Sequence, residues 1–584
     1  MKKILIFFLF VLTACQKDLL DTTPYSSVSS STMWTSDNLT DLGVAGVYAG
    51  LRLGIGNSSN GLTFEIYELD RFSSTSQTRF DEPLLNGTIN AGDGLFSTFW
   101  KNFYEGIQRA NDAIKNIPEK SPSSPEKKAR YVAECKFIRA YFYFKLNELY
   151  KGVPIYLEPF TPGEATKARS TEEEVWSQVI ADLTDCINEP NLPGRYVSGN
   201  ANYGHVTKGA AYALRGKAYL YLKKWDSAAA DFSEVKKAGY SLFSNYATLF
   251  TATNEQSPEM IFSIQNISQP NYGGSYQVFL GNRSARGSGW NYFMPSPNLV
   301  DLYENLNGSK FNWDDVLPGY SAMTPAEREV FFLRDNLTAG EITAATNRGA
   351  KMSLYLPNGN EARVKQAYAN RDPRLQATVI TPYSGFEGAY SNTTTATTAY
   401  LRWPYRSQAI LNGDVQSDTQ NYFYYLYRKF VSTGTTEIIS RDYAPVDIPV
   451  IRYADVLLMW AEALNEQGLM SEAIDLVNEV RRRAGVALLN SNAATTVAGQ
   501  EDLRTRIRNE RRVELPIEGV TFFDELRWKT WKDNVFYPGN GRKQVWGANV
   551  AGYSFKADYI YTWPIPLGDI VMNPSLTQNP GWIN

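Results

Sequence analysis

Between Arg452 and Gly485 apolar side chains recur at spacings of three and four: first Tyr453, Val456, Leu457, Trp460, Ala461 and Leu464, then Ala473, Val477, Val480 and Ala484. That period places each set on one stripe of an α-helix. Gly468 interrupts the pattern, and Ser471, with Glu472 behind it, is the expected cap of the second helix. Arg481, Arg482 and Arg483 followed by Gly485 close it as a C-terminus prefers. The stretch predicts a helical hairpin, and one hairpin cannot bury its own stripe, so similar units are expected elsewhere.

A sister pattern lies at 205–239, with Ala211, Leu214, Ala218 and Leu222 on the first helix and Asp226 as the expected cap of the second. Ser227, Ala229 and Asp231 fall there as Ser471, Ala473 and Asp475 do in the first hairpin. Further periodic runs cover 38–53, 99–117, 125–150, 171–186 and 504–515. The run from Thr171 opens on Thr171-Glu172-Glu173-Glu174, a capping box rather than a carboxylate site. Pairing the runs around 41–117, 125–188, 205–239 and 452–485 predicts a mainly α fold of about four tetratricopeptide-like hairpins.

Elsewhere the period disappears. Residues 256–450 are rich in Gly, Asn, Ser, Pro and aromatics, with short strand-like runs at 260–264, 377–380 and 423–430. They predict a large, loop-rich insertion with short strands, packed over the repeats. Residues 54–94 are irregular and read as long loops, and such loops in a compact domain are usually functional or mobile. The expected division is 36–255 for the N-terminal helical region and 256–584 for the rest. Within the latter lie the insertion, the last hairpin at 452–485 and a closing segment at 500–584, whose tail from Tyr553 is extended and aromatic.

The N-terminus reads as a targeting segment, 1–14. Lys2 and Lys3 precede an apolar run, 4–12, shorter than the roughly 20 residues a bilayer span needs. Leu12-Thr13-Ala14-Cys15 resembles a bacterial lipobox, which implies cleavage before Cys15, its lipidation, and an anchored tether over 15–35. Several acyl chains make a stable anchor.

Composition narrows the function. The chain has 584 residues and a net charge of −3, without the basic footprint of a nucleic-acid binder. Length alone allows roughly three to five domains, or fewer large ones. The single histidine, His205, precedes a helix start, where capping or surface placement is the expectation, and a Ser/His/Asp site would lack any other base. Asp314-Asp315 has no spacing that marks a glycosidase pair, and no dinucleotide or Walker glycine pattern follows a strand. Three cysteines and one histidine leave almost nothing for a transition-metal site or a thiol enzyme. Cys135 and Cys186 sit in amphipathic helices and read as buried thiols, with a disulfide between them left open. By contrast, 37 Tyr, 29 Phe and 13 Trp suit binding of sugars or peptides, whose apolar faces stack on rings.

At this point the motifs resemble the SusD/RagB family of Bacteroidetes outer-membrane lipoproteins, over nearly the whole chain after Cys15. Ala133-Glu134-Cys135-Lys136-Phe137-Ile138-Arg139-Ala140-Tyr141, with Gly152-Val153-Pro154 after it, is similar to the family's "AEAKFLRA…YGDVP". Asn509-Glu510-Arg511-Arg512 with Glu514, Glu518-Gly519 and Phe523-Asp524-Glu525-Leu526-Arg527-Trp528 are similar to "ERRxELxFEGxRxFDLRRW". Val520-Thr521 departs from the arginine usual after Glu-Gly. Pro564-Ile565-Pro566, Asn573-Pro574 and Gln578-Asn579-Pro580-Gly581 follow the family's ending. Gln16-Lys17-Asp18 is similar to the charged residues that mark surface-exported lipoproteins in that phylum.

The resemblance implies a binding protein, not an enzyme. It would be lipid-anchored on the outer membrane, capturing a glycan, or in some members peptides or glycoproteins, for a SusC-like TonB-dependent transporter. Aromatics on loops are then the expected ligand contacts. Trp290 and Tyr292 stand in a glycine-rich loop at a position similar to the family's binding aromatic, and Trp313 and Tyr320 are a second expected platform. Arg71 and Arg79 lie in the early loop from which the family often contributes polar contacts. Trp100, Trp225 and Trp460 are expected in the core. No cofactor is called for, and a calcium ion propping a loop is left open.

Overall fold

Ser36 accepts from the backbone of Leu39 and starts α1 (Asp37–Tyr48). α2 (Gly94–Lys120) and α3 (Pro125–Tyr150) follow, the latter begun by Ser124 with Pro125 in its first turn. α4 (Glu172–Asn188) opens on the Thr171–Glu174 capping box, with both reciprocal hydrogen bonds made. α5 (Lys208–Tyr221), capped by Thr207, and α6 (Trp225–Lys237) form the next hairpin. The fourth is α7 (Tyr453–Glu466) with α8 (Met470–Ala484), followed by α9 (Gln500–Glu514) and the short α10 (Thr521–Arg527). The computed structural model describes residues 32–53, 65–388, 397–406, 413–419, 421–433 and 440–583. Cys15, the targeting segment and most of the expected tether lie outside them.

Each helix packs on the next: α2 on α3, α3 on α4, α4 on α5, α5 on α6, α6 on α7, and α7 on both α8 and α9. The fourth hairpin thus stacks directly on the third, although a long stretch of chain separates them. Where helices meet, small residues let them close. A Cβ on Gly106 would lie 2.2 Å from the Phe142 ring. Paired charges cross the same seams. Arg139 on α3 holds Asp182 on α4 through two hydrogen bonds of 2.8 and 2.7 Å. Arg215 on α5 holds Asp231 on α6 at the same two distances.

Two expected caps are corrected. Leu469 and Lys224 occupy the N-cap positions of α8 and α6, so Ser471 and Asp226 lie inside the first turns. Both connections are so tight, through Gly468 and Lys223 in the left-handed region, that the hairpin rather than a side chain sets the helix start. Cys135 and Cys186 are both buried free thiols, pushed well up by burial, so no disulfide joins them. Trp100 is buried, whereas Trp225 and Trp460 are only partly so, packed against the helical core.

Over the helices lies a second hydrophobic core, drawn mostly from residues 246–431 and built of short elements. The longest helix between Tyr246 and Phe430 is Ala339–Asn347. Two pairs of short strands join this layer to the helical part: β1 (Ser76–Thr78), β2 (Met260–Ile264), β3 (Phe293–Pro295) and β4 (Ile448–Arg452). β1 pairs antiparallel with β3, and β2 with β4. The run at 377–380 is half helix, Pro373–Thr378, and half strand, Val379–Ile380; that at 423–430 is strand only at Leu426–Tyr427. The tail is not wholly extended, since Leu567–Met572 is helical.

The motifs quoted above tie α7, α9, α10 and the early loop together. Arg511 bridges Asp455 on α7 and Asp524 on α10 at 2.7 and 2.6 Å. Asp70 accepts the backbone N–H groups of Gly519 and Phe522, and burial lifts its carboxyl to about 7.

Candidate functional site

The β1–β3 ladder runs on past its named ends, where the Arg79 N–H donates to the Tyr292 carbonyl at 3.1 Å. Three rings gather around that bond. Tyr292 lies 5.1 Å from Phe80 and 5.5 Å from Trp290, ring centre to ring centre. Phe279 stacks under Tyr292 at 5.2 Å. The Arg79 guanidinium sits over Tyr292 and Phe80, at 4.4 and 4.8 Å, while Arg441 covers Trp290 at 4.8 Å. Phe80 is 52 % exposed, an unusual position for so large an apolar ring, and Trp290 and Tyr292 are half-buried.

The loop that presents Trp290 is tightly wound. Gly287, Ser288 and Asn291 all take positive φ, at 75°, 62° and 37°. The Trp290 N–H donates to the Val278 carbonyl at 2.6 Å and that of Asn291 to Gly281 at 2.8 Å. Gly289 passes so close to Gly281 that a Cβ would stand 2.2 Å from its carbonyl oxygen. Arg441 donates to the Ser288 carbonyl at 2.6 Å and ties the loop to a distant part of the chain. Asp418 joins Arg79 to Arg283, the latter at 2.8 Å, and its own N–H donates to Asn291 Oδ1. Nearby, Asp81 pairs with Arg542 at 3.2 Å.

Of the residues expected from sequence, the structure brings Trp290, Tyr292 and Arg79 together. The others lie elsewhere. Arg71 is 2 % exposed, ion-paired with Glu82 and Glu68 at 3.3 and 3.5 Å, with its guanidinium over Phe72. It is an internal strut and not a presented contact. Trp313 and Tyr320 form a second aromatic cluster, stacked on each other at 4.8 Å, but Tyr320 is only 4 % exposed. Phe311 and Phe332 flank Trp313, which is half-buried like Trp290, and its Nε1 donates to Asp301 at 3.0 Å.

Sequence reasoning did not single out Phe80, Arg283, Asp418 or Arg441. Phe80 follows Arg79 directly and Arg283 stands in the glycine-rich loop itself, so both were within reach. Asp418 and Arg441 come from segments with no local pattern. His205 is not the cap, a place Thr207 takes; its partly exposed ring sets Nδ1 2.8 Å from the buried Glu134 carboxylate. Asp314 sits in a turn, accepting from Ser321, away from the ring cluster. Among the described residues no three of His, Cys, Asp and Glu are grouped to hold a metal ion.

This geometry offers apolar ring faces beside guanidinium donors, a surface suited to binding. The profile of the SusD family matches residues 258–582, and one described as "Starch-binding associating with outer membrane" matches 18–220. The chain belongs to the SusD family. A SusD-like protein of Formosa agariphila is 25 % identical over 589 residues, covering 97 % of this chain and 96 % of that one. The starch-binding protein SusD of Bacteroides thetaiotaomicron is 26 % identical over 477 residues, 78 % of this chain and 73 % of its own. The crystal structure of a SusD-like carbohydrate-binding protein from Bacteroides fragilis superposes with a TM-score of 0.71 at 25 % identity, covering 94 % of this chain and all of that one (100 %). The last two bear the names of binding proteins.

Proposed function

We propose that this chain captures an oligo- or polysaccharide at the cell surface and delivers it to a SusC-like TonB-dependent transporter, anchored by lipid on Cys15. The observation that carries the binding half is the cluster of Phe80, Trp290 and Tyr292 around Arg79. Sugar rings stack their apolar faces on such aromatics while polar side chains fix their orientation. The names of the starch-binding and carbohydrate-binding relatives support a glycan, and the matched outer-membrane profile supports the location. Among the described residues no helix is long and apolar enough to cross a membrane, which fits an anchor supplied from outside them.

Calorimetry of the soluble form against a polysaccharide panel tests the site. Trp290→Ala is expected to weaken the bound glycan about 10- to 100-fold, the loss of one well-packed aromatic contact. Unchanged affinity in that variant removes Trp290 from the site. Delivery is tested separately, by purifying the lipidated protein from detergent-solubilised outer membranes. A large β-barrel protein is expected to come with it, and a protein recovered alone argues for a free-standing surface receptor.

A further inference from the structure

A sugar hydroxyl both donates and accepts hydrogen bonds, whereas a guanidinium only donates. A site for a neutral glycan therefore needs carbonyl, amide or carboxylate oxygens facing the ligand as well as donors. The ring cluster has the opposite balance. Arg79, Arg283 and Arg441 surround it, the first and third lying directly over its rings. The carboxylate between them, Asp418, is engaged on one side by Arg79 and on the other by Arg283. Asn291 Oδ1 is taken by the Asp418 N–H. Asp442 stands 3.9 Å from Arg441 and Asp81 pairs with Arg542, so among the described residues four guanidiniums face three carboxylates in a chain whose net charge is −3. Among the described residues Arg79 Nε is buried without a hydrogen-bond partner.

From this excess of donors and positive charge we infer that the ligand is an anionic glycan, carrying uronic-acid carboxylates or sulfate esters. The inference rests on the ring cluster being the glycan site. Trp290 and Tyr292 take the sugar faces, and the acidic groups pair with the guanidiniums, whose planar fork matches an oxyanion in a two-point contact. Arg283 and Arg441, with side chains 32 % and 26 % exposed, are the accessible partners; Arg79, at 15 %, supports the centre.

The test uses the soluble full chain and matched pairs: polygalacturonate with its carboxyl-reduced product, and a carrageenan with its desulfated product, with starch as a neutral reference. At least one anionic member is expected to bind about tenfold or more tightly than its neutral partner, and the preferred pair identifies the acidic group. That preference is expected to fade between about 0.05 and about 0.5 M NaCl, as screening shortens the reach of the charges. Arg283→Gln and Arg441→Gln should each narrow the preference severalfold, with Arg283→Lys restoring part of it. The salt series on the unaltered chain gives the same answer if either variant folds poorly. Equal affinity within both pairs, or no binding of either, overturns the inference. If starch or the neutral products still bind through Trp290, the ring cluster stands as the site. Binding of any of them that is indifferent to Trp290→Ala overturns the ring cluster, and the inference with it.

Discussion

Replacing Arg452 by Gln is expected to destabilise the protein by about 3–5 kcal/mol, seen as a lower urea midpoint and a melting temperature reduced by several degrees. Arg452 ends β4 and leads into α7, and it is 1 % exposed. Its guanidinium reaches Glu259 at 2.7 Å, Glu514 at 2.6 Å and Glu518 at 2.7 Å, and also donates to the Glu514 carbonyl. One side chain therefore joins the chain entering β2, the last helix of the array and the turn before α10. Removing it leaves three buried carboxylates around a neutral amide, with Arg374, Arg483 and Lys429 only partly compensating. Burial alone would raise the Glu514 carboxyl, but Arg483, Arg452 and Arg374 outweigh it and hold the group well below its ordinary 4.5.

A carboxylate depressed in this way contributes stability that is full above its unfolded value and lost as pH falls through its folded one. The gap between the native chain and Arg452→Gln should accordingly be widest near neutral pH and narrow below about pH 4.5. Denaturation at both values checks the size and the sign. An unchanged midpoint at neutral pH would mean that the pairs return no more than their desolvation costs.

The second large effect lies at the site. Gly289→Val is expected to lower glycan affinity at least tenfold, about 1.4 kcal/mol, while the far-ultraviolet helical signal stays unchanged. Any Cβ there meets backbone: the Gly281 carbonyl oxygen at 2.2 Å, its carbon at 2.5 Å and the Gln277 oxygen at 2.6 Å. None of these atoms is the end of a side chain that could swing away. The loop must therefore move and take Trp290 with it, breaking the Trp290–Val278 and Asn291–Gly281 hydrogen bonds. Gly340→Ala, which meets open space on a helix, is the matched control. Full affinity in Gly289→Val would show that the ligand does not depend on the position of this loop.

The helical half of the molecule was legible because its signals are local. Ser124 with Pro125 starts α3, the Thr171–Glu174 box starts α4, and apolar stripes at spacings of three and four mark the rest. The two misplaced caps lay where a tight hairpin overrides a side-chain preference. The site was harder to read for a different reason. Trp313 and Trp290 look alike in sequence, each an aromatic in a polar, turn-rich stretch. Both are half-buried, and what separates them is their company: Trp313 packs among Phe311, Tyr320 and Phe332, whereas Trp290 lies under Arg441 beside Tyr292. Asp418 and Arg441 reach the Trp290 loop from far along the chain, a contact that no period or turn signal announces.

The pairing of β2 with β4 has a wider meaning. Met260 lies opposite Arg452 and Ile264 opposite Ile448, so the chain returns to its point of departure after building the whole overlying layer. Beyond that pair, the scaffold holds the layer through β1 with β3 and through ion pairs such as Arg374–Glu514 and Lys429–Glu518. Closing a longer loop costs little more, about 0.6 kcal/mol for each doubling of its length. Insertions or deletions in turns between the two strands that spare these contacts should therefore leave the stacked hairpins almost unaffected. Adjoining chain ends of this kind let one frame carry recognition loops of different length, by natural drift or by grafting that keeps the anchoring residues.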